Sequence, residues 1–227
     1  VIWKPSSRTP LTAIAVQKII RNVLEANHVP EGVFNMVVAK SSVMGDNFVA
    51  DKRIPLFSVT GSTAVGKRIS GIVGQRLGRT IMELGGNNAV IISEHANLEM
   101  AIKSVVFGAV GTAGQRCTST RRLIIHESIY DTVVEKLITA YQSVAGKIGS
   151  PFDEDVLVGP LIDGGAVNDF RMAIAGAVKE GGRVLFGGEV LEGGPYRSGN
   201  YVVPALVEAE NHYEIVQIGR ASGRERV

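Results

Sequence analysis

The stretch Gly114-Gln115-Arg116-Cys117-Thr118 contains the only cysteine among the 227 residues of the chain. A run of small residues, 108–114, leads into it, and a lone acidic residue, Glu83, lies upstream between apolar neighbours. One interpretation is a thiol nucleophile that works with a carboxylate base. The other is a buried free cysteine that packs as a small apolar side chain. Cys117 alone does not separate the two.

Composition excludes several classes of protein. A single cysteine excludes a disulfide framework and a cysteine-based zinc site, and it favours a reducing compartment, so we expect a cytoplasmic location. The four histidines show no ligand spacing, and no metal site is predicted. Because no apolar run reaches the roughly 18 residues of a membrane span, no membrane association is expected.

The formal charge of +2 depends on the end of the sequence. Residues 218–227 resemble translated sequencing-adapter read-through, and we expect them to be a non-native tail. They contribute three of the 24 basic residues and one of the 22 acidic ones, so the rest of the chain is neutral. The charge therefore gives no reason to expect nucleic-acid binding. The chain starts without Met, which favours an internal fragment of a longer protein.

Segments of helical and strand periodicity alternate along the whole chain, which predicts an α/β fold with mostly parallel sheets. A helix is expected from Pro10 to about Asn27, and further helices are expected from the segment 60–66 to about Leu77, after an Asn97 cap, after a Ser128 cap and over 164–179. Strands are expected at 34–38, 54–59, 80–84, 88–92, 122–126, 182–188 and 201–207.

The segment 60–66 (TGSTAVG) follows a predicted strand and opens a predicted helix. Backbone N–H groups and the positive end of the helix dipole would face an anion there, so a phosphate site is one interpretation. The other is an ordinary strand-to-helix turn with a Ser or Thr cap. The sequence pattern leaves both open.

Four motifs together resemble the aldehyde dehydrogenase family. Residues 82–89 (MELGGNNA) resemble its glutamate signature, and residues 114–118 (GQRCT) resemble its cysteine signature. Lys4-Pro5-Ser6 and residues 61–66 look like its two cofactor motifs. The resemblance covers residues 1 to about 217 and implies the aldehyde dehydrogenase fold, with a Rossmann-like cofactor domain and an α/β catalytic domain, both incomplete. The corresponding domain prediction is 1–84, 85–217 and a tail at 218–227.

The resemblance implies NAD(P)-dependent oxidation of an aldehyde to a carboxylic acid. Cys117 would form a thiohemiacetal and then a thioester, and Glu83 would be the general base that activates water. The Cys117 backbone N–H is one candidate donor to the oxyanion. An alternative is an inactive dinucleotide-binding fragment, because the resemblance places an oxyanion Asn before Val1 and a ribose-binding Glu after Gln217.

The implied cofactor is NAD. Contacts to it are expected from Lys4, Ser7, Gly61, Ser62, Val65, Gly66, Leu84 and Gly85. Many NAD-preferring members carry a Glu after the Lys-Pro-Ser motif, where this chain has Ser7. A carboxylate there would repel a 2′-phosphate and Ser does not, so NADP is also left open.

Within the family, residues 83–89 and 110–118 look like the antiquitin group, which oxidises α-aminoadipic semialdehyde in lysine degradation. The resemblance implies that Arg116 binds the charged head of the substrate, since a guanidinium pairs well with a carboxylate. A contact from Arg116 to a backbone carbonyl is the equally weighted alternative. Another semialdehyde remains open as the substrate, and the full-length parent is expected to be a homo-oligomer, a dimer or a tetramer.

Overall fold

The computed structural model of the chain describes residues 1–217, and the predicted tail at 218–227 lies outside the described residues. The helices are α1 (Pro10–Ala26), α2 (Ser41–Ala50), α3 (Thr63–Gln75), α4 (Leu98–Val110), α5 (Tyr130–Ala145) and α6 (Gly164–Lys179). The strands are β1 (Ile2–Trp3), β2 (Asn35–Met36), β3 (Leu56–Gly61), β4 (Arg79–Leu84), β5 (Ala89–Ile92), β6 (Arg122–Ile125), β7 (Arg183–Phe186), β8 (Val190–Leu191), β9 (Tyr201–Val202) and β10 (Leu206–Glu208). None of the described helices is long and apolar enough to cross a membrane.

The predicted helix caps are right at one position and wrong at another. Asn97 caps α4, and its side chain accepts a hydrogen bond from the Met100 N–H. Ser128 does not cap α5, because a short 3-10 turn, Glu127–Ile129, precedes that helix. His126 caps this turn instead, since its Nδ1 accepts from the Ser128 N–H at 3.3 Å.

The sheets are only partly parallel, so the prediction of mostly parallel sheets is wrong for the last four strands. β1 pairs in parallel with β2, and β5 pairs in parallel with β6. β7 pairs antiparallel with β10, and β8 pairs antiparallel with β9. Only a short 3-10 turn, Gly194–Tyr196, lies between β8 and β9, and antiparallel strands need no α-helical crossover. The strand predicted over 201–207 is two strands, since Pro204 lies between them and cannot donate to a ladder.

The described residues divide into two compact units, one formed by 1–57 and 68–81 and the other by 58–67 and the residues from Met82 onward. In the first unit, Phe57 lies at the centre of a small core. Its ring meets Phe48 edge to face at 5.5 Å, and the Arg76 guanidinium lies over it at 5.6 Å. Arg76 also donates to the carbonyl oxygen of Ile54 at 2.6 Å, which ties the end of α3 to the start of β3. The domain boundary predicted after Leu84 stays a prediction.

The second unit has two apolar clusters. One lies between α4, α5 and the β5–β6 pair, with Ile92, Val105, Val133 and Leu137 almost fully buried. The other packs α6 against the end of α4, the end of α5 and β9, around Phe170. Burial of large apolar side chains is the main stabilising contribution to such a unit. Helix α4 contributes to both clusters, and its end leads directly into the cysteine stretch.

Helix α1 carries its predicted apolar face on the surface. Leu11 is 79% exposed and Ile19 is 64% exposed, whereas Ala13 is buried. The periodicity that predicts this helix is therefore right about its conformation. In the described structure it does not lead to burial of that face.

Candidate active site

The cysteine loop begins with a short turn in an unusual backbone conformation. Helix α4 ends at Val110, and the following 3-10 turn, Gly111–Gly114, contains three successive residues with positive φ. These are Thr112 at 55°, Ala113 at 52° and Gly114 at 69°. Only the glycine adopts this region without steric cost, so Thr112 and Ala113 store backbone strain. Strain of this kind clusters at functional sites, where the surrounding structure holds it in place.

Cys117 lies in a β-turn that is closed by hydrogen bonds of both the backbone and the side chain of Ser119. The Ser119 N–H donates to the Arg116 carbonyl at 3.2 Å, which places Cys117 and Thr118 at the two central positions. The Ser119 hydroxyl donates to the Gly114 carbonyl at 2.7 Å and accepts from the Arg116 N–H at 3.1 Å. Ser119 is only 2% exposed, so these bonds are shielded from water.

Asn88, which lies inside the glutamate motif 82–89, connects that motif to the turn. Its Nδ2 donates to the Cys117 carbonyl at 2.7 Å and to the Ser119 carbonyl at 3.0 Å. Its own carbonyl accepts from the N–H groups of Arg121 and Arg122. The glutamate and cysteine signatures are therefore joined by hydrogen bonds through Asn88, five residues after Glu83.

Two further amide side chains hold the surroundings of the loop. The Gln115 Oε1 accepts from the Ile162 N–H at 2.9 Å, which fixes the loop to the segment before α6. Asn87 is 9% exposed, and its Nδ2 donates to the carbonyls of residues 215–217, at 3.0 Å for Val216. Although they are adjacent in the chain, Asn87 and Asn88 therefore bind different segments.

The two predicted catalytic side chains are both exposed. Cys117 is a free, exposed thiol, so the interpretation of a buried apolar cysteine is wrong. Glu83 lies at the second-last position of β4, where the burial pattern alternates and its side chain faces out. No hydrogen bond joins Glu83 to Cys117 within residues 1–217. The catalytic roles of both residues stay predictions.

Arg116 makes the backbone contact that was its alternative interpretation. Its Nη2 donates to the Phe107 carbonyl at 2.8 Å, and its guanidinium lies 4.9 Å from the centre of the Phe107 ring. Both contacts tie the cysteine loop back to α4. A role for Arg116 in substrate binding stays a prediction, and it would require this side chain to leave the helix or to serve both partners.

The predicted phosphate turn forms as a capped helix start. Ser62 Oγ accepts from the Val65 N–H at 3.3 Å, as expected for an N-cap residue. The amides of Thr63 and Ala64, which begin α3, have no acceptor within residues 1–217. A Cβ on Gly61 would meet no atom closer than Val65 at 3.8 Å, so the turn is open. These free amides and the helix dipole fit an anionic phosphate group.

Gly66 and Leu84, both predicted to contact the cofactor, contact each other. A Cβ on Gly66 would lie 2.6 Å from both terminal methyl groups of Leu84. Gly66 is buried, so the missing side chain is what allows α3 to pack closely on the end of β4. Gly85 follows Leu84 and is half-buried.

The other predicted cofactor residues lie in the segment between β1 and α1. Lys4 is half-buried, and its Nζ donates to the Pro5 carbonyl at 2.9 Å. Ser7 is exposed in the turn before α1. A hydroxyl in this exposed position can bond either a ribose hydroxyl or a ribose phosphate.

A cavity of about 620 Å³ lies behind the cysteine loop, within the second unit. The whole of β6 and β10 line it, together with Asn87, Gly114 and Ser119. None of the residues predicted to be catalytic or to bind the cofactor is among those that line it. Among the described residues, no group of three or more His, Cys, Asp or Glu side chains could hold a metal ion.

The sequence profile of the aldehyde dehydrogenase family matches residues 1–218. The chain belongs to the aldehyde dehydrogenase family. It is 46% identical over 212 residues to a putative aldehyde dehydrogenase family 7 member A1 homolog of Caenorhabditis elegans. The aligned region covers 93% of the chain and 39% of that relative. It is 45% identical over 211 residues to the alpha-aminoadipic semialdehyde dehydrogenase of Bos taurus, covering 93% of the chain and 38% of that relative. The chain thus spans about two fifths of the length of the curated relatives it matches.

Solved structures agree with this membership. The HpcC protein of Thermus thermophilus superimposes with a TM-score of 0.88 at 32% identity, covering 96% of the chain and 42% of that structure. The betaine aldehyde dehydrogenase of Staphylococcus aureus in complex with NAD+ also gives 0.88, at 29% identity, covering 95% of the chain and 42% of that structure. The predicted family, its antiquitin-type relatives and the aldehyde dehydrogenase fold are confirmed.

The sequence reasoning gave no role to Asn87, Asn88 or Ser119. Both asparagines stand inside the quoted glutamate motif, and two amide side chains in a segment of apolar strands were the available signal. Ser119 lies two residues after Cys117, and only the turn geometry reveals that it closes the loop.

Proposed function

We propose that the chain is part of an NAD(P)-dependent aldehyde dehydrogenase that oxidises α-aminoadipic semialdehyde to the carboxylic acid. The observation that supports this most directly is the exposed Cys117 thiol on a strained loop, bonded through Asn88 to the segment that follows Glu83. The name of the Bos taurus relative, which is 45% identical, supports the substrate. The structural relative named betaine aldehyde dehydrogenase is less similar, at 29%.

The proposed chemistry begins at Cys117. Its Sγ, as thiolate, attacks the aldehyde carbon, and the carbonyl electron pair moves to oxygen. The resulting oxyanion lies next to the Cys117 peptide group, whose N–H is the donor that this chain supplies. When bound, NAD would supply the acceptor for the hydride that this oxidation removes from the adduct carbon to give a thioester. In the second unit, Ser62 and the amides of Thr63 and Ala64 are the groups that would hold it, and the contact from Lys4 stays a prediction.

Glu83 acts in the second half of the reaction. An exposed carboxylate can take a proton from a water molecule while that water attacks the thioester carbon. The carbon–sulfur bond then breaks, the Cys117 thiolate leaves, and the carboxylic acid is released. Water activation by Glu83 distinguishes this oxidation from acyl transfer to another thiol.

The proposal is tested in a full-length enzyme that contains this chain. NADH formation is followed by absorbance with α-aminoadipic semialdehyde, succinic semialdehyde and betaine aldehyde. We expect the first to react with the highest kcat/KM, and turnover of only the other two would refute the substrate. We expect Cys117→Ala to abolish turnover, and an unchanged rate would refute the mechanism. Cofactor binding without any turnover would favour a dinucleotide-binding protein.

Arg116 has its own test in the same enzyme. If it binds the charged head of the substrate, Arg116→Ala raises KM for α-aminoadipic semialdehyde and leaves KM for a short neutral aldehyde unchanged. If it only anchors the loop to Phe107, both substrates lose kcat together and the melting temperature falls.

The location and assembly of the enzyme are also proposals. The single cysteine supports a reducing compartment such as the cytoplasm. A homo-oligomer, a dimer or a tetramer, is proposed for the full-length enzyme, and sedimentation would test it.

A further inference from the structure

The peptide group before Cys117 is held in one orientation by the β-turn. Its carbonyl, that of Arg116, accepts from the Ser119 N–H at 3.2 Å. In a trans peptide the C=O and the N–H point in opposite directions. The Cys117 N–H therefore points away from Ser119, and within residues 1–217 it has no hydrogen-bond acceptor. A free N–H beside a nucleophilic thiol is suitably placed to bind an oxyanion.

The peptide group after Cys117 is held by Asn88. Both partners of the Asn88 side chain are carbonyl oxygens, which only accept, so the atom facing them is the amide nitrogen. One side chain thus binds the carbonyls of Cys117 and Ser119, which lie two residues apart. These two bonds prevent rotation of the turn about its central residues.

The buried Ser119 hydroxyl prevents the other motion that would move the Cys117 N–H. It bonds the Gly114 carbonyl and the Arg116 N–H at once, so the turn remains attached to the strained residues before it. Loss of the hydroxyl would leave two backbone groups without partners in a buried place, and the turn would shift to recover them.

We propose that Asn88 and Ser119 are positioning residues that hold the peptide groups around Cys117 so that its N–H is directed at the developing oxyanion. This proposal rests on the aldehyde dehydrogenase activity proposed above. Neither residue touches substrate in this role. Each acts through the Cys117 backbone, and the thiol keeps its own reactivity when they are replaced.

The test compares two reactions of Cys117 in the full-length enzyme. Aldehyde oxidation develops an oxyanion, whereas alkylation by iodoacetamide displaces iodide at a saturated carbon and develops none. We expect Asn88→Ala to lower kcat on the order of 10²-fold, comparable to the loss of one oxyanion donor. The alkylation rate of Cys117 and the KM for aldehyde stay close to those of the wild type.

Control variants separate positioning from general destabilisation. Asn97→Ala removes an asparagine that caps α4 and is expected to lower the melting temperature without changing kcat. Asn88→Asp keeps the size of the side chain and replaces the donor by an acceptor, so it should lower kcat as well. Ser119→Ala should lower kcat, and Ser119→Thr, which keeps the hydroxyl, should restore most of it.

The outcomes are distinct. If the wild-type enzyme turns over aldehyde and the Asn88 and Ser119 variants match Asn97→Ala, only the positioning proposal is overturned. If kcat and the alkylation rate fall in parallel, the residues merely keep the loop folded, and the proposal is also overturned. If Asn88→Ala does not fold, Asn88→Asp and the Ser119 pair decide by the same criteria. A wild-type enzyme that oxidises no aldehyde refutes the proposed function itself.

Discussion

Gly66 allows a quantitative test of how α3 packs on β4. In Gly66→Ala the new Cβ would lie 2.6 Å from the Leu84 methyl groups, well inside van der Waals contact. Overpacking of this kind costs about 1–3 kcal/mol. The same substitution gains about 0.5–1 kcal/mol, because alanine is the better helix former. The cost of the clash equals or exceeds the helix gain, so we expect a net loss of about 0–2.5 kcal/mol.

Gly71 provides the matched control in the same helix. It is exposed, and a Cβ there would meet no atom within 4 Å. Gly71→Ala should therefore show the helix gain alone, about 0.5–1 kcal/mol of added stability. The difference between the two variants isolates the clash with Leu84, about 1–3 kcal/mol.

The assay is urea unfolding of the chain, monitored by circular dichroism. The unfolding free energies of the variants are compared with a common m value, the slope against urea concentration. Combining Gly66→Ala with Leu84→Ala should recover most of the clash energy as a coupling term between the two positions. Equal changes in Gly66→Ala and Gly71→Ala would refute the close packing. In that case Gly66 would be available for the cofactor contact that the sequence motif predicts.

Further predictions concern the core and the pH dependence of stability. Phe170 is 1% exposed and Phe152 is 95% exposed, so Phe170→Ala should lower the free energy of unfolding by about 3–5 kcal/mol and Phe152→Ala by less than about 0.5 kcal/mol. Urea titrations of both variants check this, and equal effects would contradict the core assignment. The Tyr130 hydroxyl, chiefly, and Arg183 hold the pKa of Glu208 below its ordinary value of 4.5. The stability from this lowered pKa is present above the unfolded-state value and is lost as pH falls through the folded-state value. Unfolding free energies of Glu208→Gln should lack that acid dependence, and an unchanged profile would contradict it.

The sequence predicts the helices and strands of this chain better than it predicts which of them pack or pair with each other. Periodicity and the Pro10 start place α1 correctly, but the same periodicity predicts a buried face, and Leu11 and Ile19 are exposed. Apolar spacing in the sequence predicts where a helix forms, whereas the burial of its apolar face depends on what packs against that face. The sequence does not predict the antiparallel pairing of β8 and β9. Each of these strands is two residues long, which is too short for an alternation of apolar and polar residues to be recognised.

The candidate site divides in a similar way. The sequence motifs identify Cys117 and Glu83 as candidates, because the chemistry proposed for them restricts the residue type and its neighbours. Asn88 and Ser119 act through backbone carbonyls and N–H groups, which every residue has, so no pattern in the sequence marks their partners. For Arg116 the residue type does not decide the partner, because a guanidinium can donate to a substrate carboxylate or to a backbone carbonyl such as that of Phe107.

The left-handed turn after α4 folds the chain back on the helix it has just left. The Thr120 N–H donates to the Gly108 carbonyl at 3.0 Å, in the last turn of α4, and the Gln115 N–H donates to the Thr112 carbonyl at 3.1 Å. The end of the helix and the cysteine loop therefore share their hydrogen bonds and should open in one local unfolding event. Deuterium should enter the amides of Gln115, Ser119 and Thr120 at a common rate, so the lifetime of the backbone geometry around Cys117 would be set by the fraying of a helix.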